Sequence, residues 1–135
     1  MNVKEFRSAV FAEIEEWGQE SFPDLPIIYE NGPVPDEDKI GPLWLDVSVR
    51  WYGSQQLSIG EVVAGRYSGV VSVLAFYREG QGTAAVDDVL DSLEQRLRTR
   101  RFGSSTLQFP EHYTPTFIKG WYKSGLMFPF YLDRT

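Results

Sequence analysis

The amino-acid sequence predicts an α+β fold, a mostly antiparallel mixed sheet with two helices packed on one of its faces. Two segments, residues 3–17 and 86–97, repeat apolar side chains at spacings of three and four, as amphipathic helices do. The segments between and after them alternate apolar with polar residues or are rich in β-branched and aromatic residues, as strands are. At 135 residues, the chain is expected to form a single domain, 1–135.

Residues 66–101 are the stretch around which this fold is organised. They predict a strand at 66–77 with two apolar faces, which indicates a central strand covered on both sides. A glycine-rich turn at 79–82 follows, and Thr83 is predicted to cap the second helix. Gly103 is predicted to mark the point where that helix stops.

The first half of the chain is expected to contain one helix and several strands. Asn2 followed by Glu5 resembles a capping box, and Gly18 is predicted to end the first helix. A short strand at 27–30 precedes a long polar loop at 31–42. A strand at 43–52, a hairpin loop at 53–56 and a weaker returning strand at 57–63 complete this half.

The last thirty residues or so are predicted to be strands as well. A short strand at 106–109 and a loop at 110–115 lead to a hairpin of 116–123 and 126–132, turning at Ser124 and Gly125. Pro129 has no amide hydrogen to donate, so the last strand is expected at a sheet edge.

Composition narrows the classes of function. The net charge of −6 makes the chain a poor candidate for gripping nucleic-acid phosphates, although it suits a channel through which DNA slides. The absence of cysteine excludes disulfides and thiolate chemistry and fits a reducing compartment. No apolar run approaches the roughly 18 residues of a membrane span, and the acidic N-terminal segment is unlike a signal peptide.

One motif matches an enzyme pattern. Gly80, Gly82 and Ala85 have the spacing of a dinucleotide-binding turn between a strand and a helix. However, Asp87 and Asp88 place negative charge where a pyrophosphate would bind. We therefore favour a simple strand-to-helix turn and expect no nucleotide cofactor.

The remaining candidates for chemistry are isolated residues. His112 is the one histidine, which cannot by itself form a zinc site. Asp36 and Asp38 could bind a cation, but their loop lacks the spacing of a calcium loop, so a solvated acidic loop is favoured. We expect no catalytic residue and no metal.

The aromatic content of 15% makes some of the aromatic residues candidates for an interface, and half-buried aromatic residues of the sheet are the alternative. The strand at 43–52 has one face of mixed character, on which Trp44, Arg50 and Tyr52 are candidate anchors for a protein partner. The alternative interpretation is a sheet face that is exposed to water.

The order of the motifs resembles the tail terminator (tail completion) proteins of bacteriophages with long, non-contractile tails. The resemblance spans nearly the whole chain and rests on six segments in sequence: Tyr29-Glu30-Asn31, Trp44-Leu45 after a proline-rich loop, the run 67–73, the turn 80–82 before a long helix, Trp121, and the ending 127–130.

This resemblance implies a structural virion protein that forms a ring, expected to be a hexamer, at the head-proximal end of the tail tube. The implied partners are the tail tube protein and the head connector protein, with DNA passing through without specific binding and no membrane involved. Assembly would take place in the host cytoplasm. A second contact patch is expected at the loop containing Asn31 or at Arg100 and Arg101. Two alternatives stay open, a small ligand-binding or enzymatic α+β domain and another head–tail connector subunit.

Overall fold

The computed structural model describes residues 1–33, 36, 38–58, 60, 63–80 and 82–134. Within these residues the chain forms two helices and seven strands, in the order α1 (Val3–Ser21), β1 (Ile27–Tyr29), β2 (Leu43–Gln56), β3 (Gly65–Arg78), α2 (Ala84–Leu97), β4 (Arg101–Phe102), β5 (Ser105–Thr106), β6 (Glu111–Ile118) and β7 (Trp121–Arg134).

Five of the strands form one mixed sheet in the order β1-β2-β3-β7-β6, and β4 and β5 form a separate small hairpin. β3 lies at the centre, antiparallel to β2 on one side and to β7 on the other. β6 continues the antiparallel pairing, whereas β1 runs parallel to β2. The predicted α+β class is confirmed.

The core lies between one face of the sheet and the two helices. α1 contributes Phe6, Val10, Ile14 and Trp17, and α2 contributes Val86, Val89, Leu90, Leu93 and Leu97. Hydrogen bonds also connect the two helices to each other. The indole Nε1 of Trp17 donates to Ser92 Oγ at 3.0 Å, and Arg96 donates to the carboxylates of Glu13 and Glu20. These hydrogen bonds raise the pKa of the Arg96 guanidinium, because they stabilise its charged form.

The start of α1 is as predicted, but its end is not. Asn2 Oδ1 accepts a hydrogen bond from the Glu5 amide at 2.8 Å, as a capping residue does. Gly18 does not end the helix, which continues to Ser21. A Cβ at position 18 would lie 2.8 Å from Ile27 Cδ1, the far end of a flexible side chain, so Gly18 lies in close contact with β1 rather than at a helix end.

The hairpin loop predicted at 53–56 is wrong. β2 continues through this segment to Gln56 and absorbs the glycine as an irregularity in its pairing with β3, between Trp51 and Gly53. Leu57, Ser58, Gly60 and Val63 of the predicted return strand lie outside any strand, and residues 59, 61 and 62 lie outside the described residues.

The prediction that Gly103 terminates the second helix is also wrong. α2 spans Ala84–Leu97, with Thr83 at its N-cap position, although the Thr83 side chain makes no capping hydrogen bond. Gly103, at φ +62°, instead turns the chain between β4 and β5. The predicted strand at 106–109 is thereby reduced to Ser105–Thr106.

The C-terminal hairpin turns at a different place from the one predicted. Lys119 and Gly120 have φ of +51° and +85°, as the two central residues of a type I′ turn require, and they join β6 to β7. The predicted loop at 110–115 therefore lies largely in β6. Gly125 lies inside β7, where a Cβ would come within 2.1 Å of Val73 O, so it permits close approach of β3.

Pro129 does not place its strand at an edge, because β7 lies between β3 and β6. The carbonyl oxygen of Pro129 accepts from the Gln108 amide at 2.9 Å, on the side away from β3. The nitrogen and oxygen of one strand residue point to the same side, so the missing N–H also faces away from β3. β6 begins only at Glu111, opposite Met127, so β6 has no residue that needs the missing N–H of Pro129.

The buried stripe of α2 gives a direct test of the helix placement. Leu93 is fully buried, so Leu93→Ala should lower the free energy of unfolding by about 2–5 kcal/mol, through lost apolar burial and the cavity left behind. Asp91→Ala, on the exposed side of the same helix, is the control and should change it by less than about 0.5 kcal/mol. Equal effects of the two variants in urea titrations would contradict this placement.

Candidate functional site

The sheet face opposite the helices, hereafter the helix-free face, is formed by the alternate residues of β2, β3 and β7 that point away from the core. The described elements leave this face uncovered, since both helices and the β4–β5 hairpin contribute to the core on the other side. Its members include Trp44, Asp46, Ser48, Arg50, Val70, Ser72, Leu74, Phe76, Arg78, Trp121, Lys123, Met127 and Tyr131. The sequence predicts that both faces of the central strand are covered, but no described helix packs on the second face.

One end of the helix-free face carries a tryptophan cluster, formed by Trp44, Phe76, Arg78 and Trp121. Trp44 stacks on Phe76 with ring centroids 4.3 Å apart, and Trp121 meets the edge of Trp44 at 6.2 Å. The Arg78 guanidinium carbon lies 3.8 Å from the centroid of Trp121, a close cation–π contact. Trp44 and Trp121 are only 7% and 3% exposed, so the cluster buries itself.

The two indoles of this cluster leave polar groups unpaired. In the described part of the chain, the Nε1 atoms of Trp44 and Trp121 are buried without a hydrogen-bond partner. Leaving a buried donor unpaired costs about 1–3 kcal/mol, so most such donors are paired in native proteins. The two unpaired indole donors at this end of the face therefore lower the stability of the fold.

A carboxylate lies beside the cluster. Asp46 is half-buried, and this burial raises the pKa of its carboxyl group. The charge of Glu30 adds to that rise, whereas the charges of Arg50 and Lys123 partly oppose it. Burial thus disfavours the charged form of Asp46, although two cations lie nearby.

The helix-free face has a small excess of positive charge, unlike the chain as a whole. Its strands β2, β3 and β7 carry four cations, Arg50, Arg66, Arg78 and Lys123, against Asp46 and Asp133, and β6 adds the carboxylate of Glu111 opposite Met127. The chain has a net charge of −6, so the remaining surface is strongly acidic. Arg66 is bound to Asp133 through two hydrogen bonds of 2.7 and 3.0 Å and also lies over the Tyr131 ring. Cations and aromatic rings on one face are a composition typical of protein interfaces.

Two residues of the first predicted patch, Trp44 and Arg50, lie on this face. Arg50 is exposed there, and Tyr52, at the irregularity of β2, is 67% exposed. Trp44 lies on the same face but beneath its surface, so it supports the patch more than it presents an anchor.

The residues predicted for the second patch lie elsewhere. Asn31 is exposed just beyond β1, with φ +60°. Arg100 and Arg101 follow α2, where Arg100 forms an ion pair with Glu13 at 3.2 Å and Arg101 Nε donates to the Gly103 carbonyl at 2.8 Å. The structure therefore does not bring these three residues together with Arg50 and Tyr52.

Sequence reasoning missed Trp121, Arg78 and Lys123 as members of the same face. The one sequence signal was the second apolar face of the central strand. Because the C-terminal turn was predicted at the wrong residues, this signal did not identify Trp121 as a neighbour of that strand. Once the turn is at Lys119 and Gly120, the strand register pairs Trp121 with Arg78 and completes the cluster.

Two further kinds of feature are absent from the described residues. The described residues contain no group of three or more histidine, aspartate or glutamate side chains that could hold a metal ion. They also contain no helix long and apolar enough to cross a membrane.

Comparison with known proteins shows the fold but no family. No protein-family model matches the chain, and no curated protein matches it. A solved structure, whose name carries no functional term, matches with a TM-score of 0.73 at 16% sequence identity, covering 96% of this chain and 94% of that chain. This likeness shows that the architecture recurs across nearly the full length of both chains.

The raised pKa of Asp46 leads to a pH-dependent prediction. An acid whose pKa is higher in the folded state destabilises that state above the folded pKa, and the penalty disappears as the pH falls below the unfolded pKa. Asp46→Asn should therefore raise the melting temperature at pH 7, and the gain should shrink on acidification. Asp91→Asn, at an exposed helix position, controls for the change in net charge. Thermal melts in which Asp46→Asn is less stable than the native chain at pH 7 would contradict the assignment.

Proposed function

We propose that this protein forms a ring that caps the head-proximal end of a phage tail tube, stops its polymerisation and presents the surface that joins the head connector. Two lines of reasoning support the proposal. One is the ordered set of motifs that resembles tail terminator proteins. The other is the composition and packing of the helix-free face.

The helix-free face supports a binding role because it is costly to the isolated chain. It keeps two buried indole donors unpaired and holds Asp46 where burial disfavours its charge. Groups that lower stability are commonly retained where function needs them. A protein partner that covers this face would complete the second side of the central strand.

Charge indicates which partner this face accepts. The excess of cations on this face favours an acidic partner over a second copy of the same face. The partner is therefore expected to present carboxylates and apolar side chains, and we assign it as the last ring of the tail tube. Arg50 and Tyr52 are the exposed anchors of that contact.

The rest of the molecule is compatible with a structural role around DNA. With the cations of the helix-free face engaged, the remaining surface is acidic and would not retain the DNA that passes through a ring. A ring of this kind needs no catalytic residue, so its function rests on its surfaces alone.

Reversing the charge of Arg50 tests this function. Arg50 is exposed, so Arg50→Glu should still fold, with a small loss of stability because a cation near Asp46 is lost. The variant should bind the tube end poorly, giving tails of uncontrolled length that fail to join heads. Lys4→Glu, on the exposed side of α1, makes the same change in charge and should leave tails normal. Tail lengths are measured by electron microscopy and head joining by infectivity.

The outcomes separate the face from the function. Normal tails and full infectivity with Arg50→Glu would remove the helix-free face from the proposal. Failure of the native protein to localise to the end of purified tail tubes would reject the terminator function itself.

A further inference from the structure

A groove at one end of the domain has no assigned role. This end groove lies between the end of α1, the start of β2 and the first turns of α2, and has a volume of about 540 Å³. Its walls are largely apolar and include Phe22, Leu25 and Val89. A cavity of this size and character is within the range that binds drug-sized ligands, so it has ample room for a phenyl ring.

Two carboxylates also line the end groove. Asp24 and Asp88 are both exposed, and neither has an ion-pair partner among the described residues. An occupant that combines an apolar group with a cation would match this lining.

The same chain carries such a group at its other end. Phe109 is 62% exposed, and the Arg98 guanidinium carbon lies 5.3 Å from its ring centroid. We call this pair the aromatic knob. An aromatic side chain that exposed forgoes most of the 150–250 Å² that such residues commonly bury. The knob thus combines the apolar ring and the positive charge that the groove would accept.

The knob and the groove cannot meet within one molecule. Ala85, Asp88 and Val89 line the groove at the beginning of α2, whereas Arg98 directly follows its end. A helix of 14 residues at 1.5 Å per residue separates them by about 20 Å. Complementary patches at opposite ends of one chain produce head-to-tail contacts, which close into a ring when the rotation between copies allows it.

We propose that Phe109 of one copy inserts into the end groove of the next copy, with Arg98 facing Asp24 and Asp88. The occupant is a second copy of this chain, because the chain itself supplies both halves with opposite charge. The inference rests on the proposed function for the closure of the ring, but the contact itself is independent of the tail tube. It also leaves the helix-free face uncovered and available to another partner.

Site-directed crosslinking tests the contact, and the absence of native cysteine makes the experiment specific. Ser21 lines the groove and Gln108 adjoins Phe109, and both side chains are exposed, so cysteines there should preserve the fold. The variant Ser21→Cys/Gln108→Cys, treated with a short bismaleimide, should give a ladder of covalent oligomers. The matched control Ser21→Cys/Thr114→Cys carries its second cysteine at an exposed position of β6 and should stay largely monomeric.

A charge swap tests the electrostatic part of the contact. Asp88→Arg and Arg98→Asp should each weaken self-association by about tenfold or more, and the double variant should recover most of it. Asp91→Arg, on the same helix but outside the groove lining, is the matched control and should associate as the native chain does. Sedimentation velocity over a range of concentrations measures the change.

The possible results distinguish the contact from the ring function. Rings that form without the specific crosslink, and that tolerate both single charge reversals, would overturn the contact and leave the ring standing. Crosslinked chains or filaments that never occupy tube ends would support the contact and reject the terminator function. A native chain that stays monomeric at every concentration and with tubes present would overturn both.

Discussion

The structure depends on one constraint, that β3 has two apolar faces but the chain has helices for only one of them. Both helices pack on the side of Val71, Val73 and Ala75, and the described elements leave the opposite side without cover. The aromatic side chains on that side therefore pack on one another, Trp44 on Phe76 and against Trp121. This self-packing removes apolar surface of the aromatic rings from water. It also leaves the indole donors of Trp44 and Trp121 unpaired and the carboxylate of Asp46 half-buried.

The charges of the molecule are divided between its two layers. On the helix side, Arg96 joins α2 to carboxylates of α1, and Arg100 extends the same network. On the sheet side, cations outnumber carboxylates. Exposed ion pairs contribute little stability, so this division has more influence on which surfaces can meet than on whether the chain folds.

Much of the fold was predictable because its signals are local. The apolar repeats of α1 and α2, the cap at Asn2 and the alternation in β2 and β3 each depend on neighbours within a few residues. The errors concern glycines such as Gly18 and Gly125, since a glycine marks either a turn or a close contact with a distant segment. Only the tertiary structure distinguishes these two uses.

The same limit applies to the candidate site. Alternation in β2 predicted that Trp44, Arg50 and Tyr52 share one face. It could not predict that Trp121 would join them, because strand register is a long-range property. The end groove and the aromatic knob were equally out of reach, since each combines segments that are distant in sequence.

The packing of the first helix has a consequence for synthesis of the chain. Phe6 contacts Trp51, Phe102 and Phe130, and Trp17 reaches Ser92, so the partners of α1 are made late. While the chain emerges from the ribosome, the apolar stripe of α1 has no complete surface to pack against. The domain can therefore close only after β7 has been made, and until then the apolar stripe of α1 stays exposed to solvent.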